Sequence, residues 1–142
     1  MSRFVVDASV ALKWFLPEAD GECAARLRRE GTDLDAPDLL HAEVANALWK
    51  RVRRGELKVS TAGRIAAALS RLPIEVHPSR LLAGAALQIA CATGLTVYDS
   101  LYVATALLTD GVLVTADRFL FETAGRQSAL EGKVLWVGDV PA

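Results

Sequence analysis

Cysteine is scarce in this 142-residue chain, and the two present, Cys23 and Cys91, form neither a CxxC pair nor any metal-ligand spacing. Each falls in an apolar helical pattern and is expected to be a reduced, small core residue, so the chain requires no disulfide framework. Histidine is equally sparse, with only His41 and His77, and no Cys/His cluster exists to hold zinc. Net charge is almost missing: 16 basic against 17 acidic residues leave -1, which lacks the global basic footprint of a protein that coats DNA. No leader of charged, apolar and small residues opens the sequence, because Asp7 interrupts the only early apolar run; a reducing, cytoplasmic location is expected. The longest uncharged stretch, 81–98, also falls short of a membrane span. Gln88 interrupts it, Gly94 reads as the residue after a helix, and the helical part is about 13 residues where a span needs about 20.

What is present describes a globular α/β protein. Hydrophobic residues make up 52% and charged residues 23%, and neither a repeat nor a linker divides the chain, so 1–142 is expected to be one domain. The stretch 3–9, RFVVDAS, sets the pattern. Phe4, Val5 and Val6 are apolar without alternation, as in a strand covered on both faces, and Asp7 ends it. Helices are expected over 10–15, stopped by Pro17, and over 21–30. A weak strand at 33–36 follows, then a long helix from Pro37 or Asp38 to Gly55, and another over 60–72 capped by Ser60. A strand at 74–77, the apolar helix 80–93, a brief extended piece at 96–98, a helix from Asp99 or Ser100 to Leu108, and the strand 112–115 continue the alternation. A short helix through Leu120 and a strand at 134–137 complete it. Such an order predicts a three-layer α/β/α sandwich around a mainly parallel sheet. Ala83, Gly84, Ala85, Ala86 and Ala90 on the apolar helix suit close packing on the sheet or across a subunit interface, and a homodimer is expected.

Two strands, FVVDAS and VLVTAD, each run into an aspartate at the carboxyl end, where open α/β sheets bind ligands. If they are neighbours, Asp7 and Asp117 converge. Glu43, in LLHAEVANAL, and Asp99, in TVYDSLYVATA, are two further acids embedded among apolar residues. Each has a plainer use: Asp7 and Asp99 as helix caps, Glu43 as an acid near a helix start. Together they are harder to dismiss, because four carboxylates sharing a low-dielectric pocket repel one another unless a cation joins them.

These residues carry a family resemblance. VVDASVALKWF, HAEVANAL, YDSLYVATAL and VTADRFL occur in order over nearly the whole chain, which resembles the PIN-domain ribonucleases and most closely the VapC toxins of bacterial toxin–antitoxin pairs. The resemblance implies a PIN-like α/β/α fold and a site of four acids, Asp7, Glu43, Asp99 and Asp117, binding Mg²⁺ or Mn²⁺. It further implies supporting roles for Thr115, before the last acid, and Asn46, one turn after the second. Ser9 is grouped with them. A cognate antitoxin whose tail covers an apolar groove near the early helices, with Trp14, Phe15 and Leu16, is the partner it implies.

The chemistry of the residues is compatible with that. All-oxygen ligands suit hard Mg²⁺ or Mn²⁺, and the expected reaction is metal-dependent hydrolysis of RNA phosphodiesters. Asp7, Asp99 and Asp117 are the expected direct ligands, with Glu43 acting directly or through water. His41 lies about 200° round its helix from Glu43 and is set aside as noncatalytic; His77 has no evident partner. Glu43, Asn46, Lys50 and Arg54 share a helix face, with Lys50 roughly 10 Å and Arg54 roughly 16 Å beyond the acid, a candidate phosphate track. Its plainer use is a basic helix end complementing the dipole. Arg118 is a second candidate phosphate contact, whereas Trp14, Tyr98, Tyr102 and Phe119 are expected in the core. Two rival functions remain: a noncatalytic PIN-like protein-binding module, and a metal-dependent phosphotransfer or phosphatase domain. The second is disfavoured because Asp7, Ala8, Ser9 is neither an acid pair nor DxD.

Overall fold

The computed structural model describes residues 2–142. Its centre is a five-stranded, all-parallel sheet in the order β3-β2-β1-β4-β5, made of β1 (Ser2–Val6), β2 (Thr32–Pro37), β3 (Ile74–His77), β4 (Val112–Thr115) and β5 (Val134–Trp136). Parallel strands need crossovers, and the helices supply them: α1 (Ala8–Ala11) and α2 (Gly21–Ala25), each continuing into a single 3-10 turn, then α3 (Leu39–Arg53) and α4 (Val59–Ser70). After β3 come α5 (Ser79–Thr93) and α6 (Val97–Thr109), and α7 (Arg118–Gly125) joins β4 to β5. The chain steps outward from β1 to β3 through α1–α4, then returns past β1 to β4 and β5 through α5–α7. Right-handed crossovers therefore put the two helix sets on opposite faces, giving the three layers that the alternation predicts.

Val5, Val6, Leu113 and Val114 on the two central strands are fully buried, which is why neither strand alternates polar with apolar residues. The weak strand at 33–36 proves to be β2, next to the central β1, since parallel pairing on both sides supplies what its own composition lacks. Gly55 and Gly94 follow α3 and α5 with φ of +73° and +83°, the left-handed conformation that closes a helix without steric cost to glycine.

Several local expectations need correction. The piece 96–98 is not extended: α6 begins at Val97, because Thr96 caps it by accepting from the Asp99 N–H at 3.0 Å. Asp99 therefore is not the cap, and its carboxylate is not spent on the helix N–H groups. Helix α4 starts at Val59, and Ser60 is not its cap. Cys91 is exposed and Cys23 only half-buried. Helix α5 buries Leu82 and Ala86 against Leu101 and Ala104 of α6, and leaves Leu81 and Leu87 in solvent. Among the described residues no single helix is long and apolar enough to cross a membrane.

Candidate metal centre

Strand order reverses between β1 and β4, and the crevice outside their carboxyl ends is the natural ligand site of such a sheet. Asp7 follows β1 and Asp117 follows β4, so the sheet delivers both acids there. The N-terminal turn of α6 brings Asp99, and the second turn of α3 brings Glu43. All four carboxylates line one cleft of about 90 Å³, together with Ala8, Ser9 and Tyr102. No lysine, arginine or histidine is among the residues lining it.

Asp7 is held most tightly. Its Oδ1 accepts from the Ser9 hydroxyl at 2.5 Å and the Val10 N–H at 3.1 Å, and its Oδ2 accepts from the Thr115 hydroxyl at 2.5 Å. The same hydroxyls reach across to the β4–α7 turn: Ser9 Oγ accepts from the Ala116 N–H and Thr115 Oγ1 from the Asp117 N–H, both at 3.0 Å. Asp117 then caps α7 by accepting from the Leu120 N–H at 3.1 Å. Capping and site-building are thus not alternatives for Asp7 and Asp117; each spends Oδ1 on its helix. On the far side, the buried Tyr102 donates its hydroxyl to Glu43 Oε1 at 2.5 Å.

Burial pushes the Asp7 carboxyl up from its ordinary 3.8 to about 6, against the pull of its three donors and with a push from Asp117. Asp99 is also raised to about 6, by burial first and then by the neighbouring charges of Asp117 and Glu43. The Tyr102 phenol is driven well above its usual range, chiefly by burial and by its bond to Glu43. Neutral pH therefore places uncompensated negative charge in this cleft. Four oxygen donors with no cationic side chain fit a hard divalent ion, which removes the repulsion.

Beside the cleft, and sharing Ala8, Ser9 and Glu43 with it, runs a groove of about 510 Å³ lined also by Leu12, Leu39, Asn46, Lys50 and Tyr98. Asn46 and Lys50 thus lie on the face of α3 that carries Glu43. Lys50 and Arg54 continue into an adjoining hollow with Trp49 and Arg53, whose guanidinium lies 4.8 Å from the Trp49 ring centre. Arg118 lies 4.4 Å over the Trp136 ring. His41 is half-buried and lines neither the cleft nor the groove.

Two expectations about side chains fail here. Tyr98 and Phe119 are not core residues but 63% and 59% exposed. Trp14, Phe15 and Leu16 are half-buried and pack against the core, with Trp14 Nε1 donating to the Ala24 carbonyl at 2.8 Å, and the groove beside the cleft is lined by Ala8, Ser9 and Leu12 of the same early segment. His77 does have a partner, the fully buried Asp35, at 2.8 Å. Asp35, a residue the sequence did not single out, also pairs with Arg3 at 2.7 Å. Ligand atoms of Asp35, Glu75 and His77 lie within 4.8 Å of one another. The Arg3 guanidinium and the His77 imidazole already engage both Asp35 oxygens, whereas no cationic side chain lines the four-acid cleft.

A parallel α/β/α sandwich with carboxylates gathered at its switch point defines the class to which this chain belongs. Residues 4–126 match the PIN domain model, and the chain belongs to the PIN-domain family. It is 38% identical over 122 residues to Ribonuclease VapC3 of Pyrobaculum aerophilum, covering 84% of this chain and 93% of that one. Its fold is similar to the crystal structure of PAE2754 from Pyrobaculum aerophilum (TM-score 0.66, 31% identity, 86% of this chain and 79% of that one). A toxin–antitoxin complex from Klebsiella pneumoniae shares the fold at 15% identity (TM-score 0.59, 95% and 96% covered).

Proposed function

We propose that this protein is a divalent-metal-dependent endoribonuclease and the toxin of a toxin–antitoxin pair, with Asp7, Glu43, Asp99 and Asp117 as its catalytic acids. The observation that carries the proposal is the convergence of four carboxylates on one cleft lined by no cationic side chain. Kinship with Ribonuclease VapC3 supports RNA as the substrate. Similarity to a chain from a toxin–antitoxin complex supports an antitoxin as partner.

Asp7, Asp99 and Asp117 are the direct ligands of Mg²⁺ or Mn²⁺ in this proposal, and Glu43 ligates or orients water. When bound, the ion supplies Lewis-acid polarisation of the scissile phosphate and lowers the pKa of water. The chain's own part is positioning. Ser9, Thr115 and the Val10 N–H fix the Asp7 carboxylate, the Leu120 N–H fixes Asp117, and Tyr102 fixes Glu43. Asn46 supports the α3 side of the cleft, and Lys50 and Arg54 extend a cationic track for the RNA backbone. Arg118, next to Asp117 and held 4.4 Å over the Trp136 ring, is a second phosphate contact in this proposal. The exposed Leu81 and Leu87 of α5 form the surface for a homodimer.

Cleavage of defined RNAs by purified, antitoxin-free protein tests the reading, with Mg²⁺ or Mn²⁺, with EDTA, and with Asp7→Asn prepared identically. Site-specific cuts are expected only from the wild type with metal. Equal cutting by Asp7→Asn, or none on any RNA, would remove the ribonuclease and favour a module acting only through its partner.

A further inference from the structure

Tyr98 immediately precedes Asp99, yet its ring stands in solvent and lines the groove that opens from the acid cleft. The groove floor beside it is apolar, from Ala8, Leu12 and Leu39, while Asn46 and Lys50 stand on its α3 wall. Chemistry thus changes in order along the surface: carboxylates suited to a metal and phosphate, then an aromatic face over an apolar floor with an amide beside it, then a lysine. Beyond Lys50 the hollow of Trp49, Arg53 and Arg54 repeats the pairing of a flat ring with cations. A nucleic acid strand alternates in the same way between anionic phosphates and flat apolar bases.

We propose that Tyr98 is a stacking platform for an unpaired RNA base next to the phosphate at the acids, with Asn46 available to that base's edge and Lys50 to the following phosphate. The proposal rests on the ribonuclease reading and adds to it a base-stacking contact made by Tyr98 in the groove. A base in a helix is already stacked and paired, and its faces are closed to a protein ring; only a splayed base can lie on Tyr98. The free ring is also accounted for: an exposed phenol beside a charged cleft does nothing for the core, whereas Tyr102, one helical turn on, is buried and bound to Glu43.

Binding of a short oligoadenylate carrying a fluorescent adenine analogue, with Ca²⁺ in place of Mg²⁺, tests this. Tyr98→Ala is expected to weaken binding about tenfold and abolish the quenching of the analogue, with the salt dependence unchanged, because stacking releases no counterions. Tyr98→Phe and Tyr98→Trp are expected to restore both signals, which a merely structural role would not require of an exposed side chain. A fully paired duplex of the same sequence is expected to bind no better to wild type than to Tyr98→Ala. Wild-type binding by Tyr98→Ala, or equal gain from the duplex, would overturn the stack while Asp7-dependent cleavage persists and the ribonuclease reading stands. Intact RNA binding by Tyr98→Ala with loss of antitoxin capture would overturn it too, by assigning the groove to the protein partner.

Discussion

Removing the charge of Asp7 is expected to stabilise the metal-free protein while abolishing its activity. Below about pH 4 the carboxyl is protonated in both the folded and the unfolded chain, and contributes no pH-dependent difference. Between about 4 and 6 the folded protein keeps a proton that the unfolded chain has lost, so stability falls as pH rises; above about 6 the loss is complete. The gap between 3.8 and about 6, at about 1.36 kcal/mol per pH unit, makes that loss about 3 kcal/mol for this buried group. Asn in its place never ionises. It gives back about 1 kcal/mol because its NH₂ meets a hydroxyl that now donates to Asp7 and accepts from the turn. The net expectation at pH 8 in EDTA is a gain of about 2 kcal/mol, or roughly 4–8 °C in Tm for a chain of this size. At pH 4 most of the electrostatic gain has gone, and the hydrogen-bond cost leaves the variant slightly the less stable. Saturating Mg²⁺ or Mn²⁺ reverses the order by stabilising the wild type and not the variant. Denaturant melts from pH 4 to 8 with EDTA and with metal measure all of this. Equal stability of the two proteins at pH 8 in EDTA would refute the argument that the cleft stores electrostatic strain for a cation.

Other outcomes follow from neighbouring groups. Tyr102→Phe removes the only side-chain donor to Glu43 among the described residues and is expected to cost about 1–2 kcal/mol of stability. The displaced Glu43 should lower the cleavage rate about tenfold, so an unchanged rate in steady-state cleavage would mean that Glu43 needs no positioning. Lys50→Ala with Arg54→Ala is expected to flatten the salt dependence of single-stranded RNA binding by about 0.7 in log–log slope for each phosphate no longer neutralised; an unchanged slope would remove the track. Leu87→Glu is expected to shift the sedimentation mass from dimer to monomer, and a concentration-independent monomer mass for the wild type would exclude the α5 surface. Metal affinity is expected to rise with pH through about 6, where Asp7 and Asp99 lose their protons, as calorimetry in two buffers of different ionisation heat would show.

How far the sequence carries these conclusions depends on whether the decisive interaction is local. Runs such as FVVDAS and VLVTAD announce both the buried strands and the acids that end them, since burial on two faces leaves a continuous apolar signature. β2 is faint because Asp33 and Asp35 lie within it. Asp35, fully buried, has its partners in Arg3, 32 positions earlier, and His77, 42 positions later, and no local pattern encodes those contacts. Tyr102 reads as a core residue and is one, but where its hydroxyl points depends on α3 meeting α6. The Thr96 cap, by contrast, is written locally as T-x-x-D, and reading Asp99 as the cap displaces the helix start by three residues.

The misplacement of Tyr98 and Phe119 follows from the same limit. Aromatic residues in apolar sequence surroundings are usually buried, and Ser100, Leu101 and Leu120, within three positions of these two, do lie in the interior. Asp99 and Asp117 nevertheless must face the cleft, and Tyr98 and Phe119 sit within two residues of them at the first turns of α6 and α7. Tyr98, on one side of Asp99, lines the groove beside the cleft, while Ser100 on its other side turns inward, so which neighbour of the acid is exposed is set by the step of about 100° per residue round the helix and not by apolar sequence surroundings.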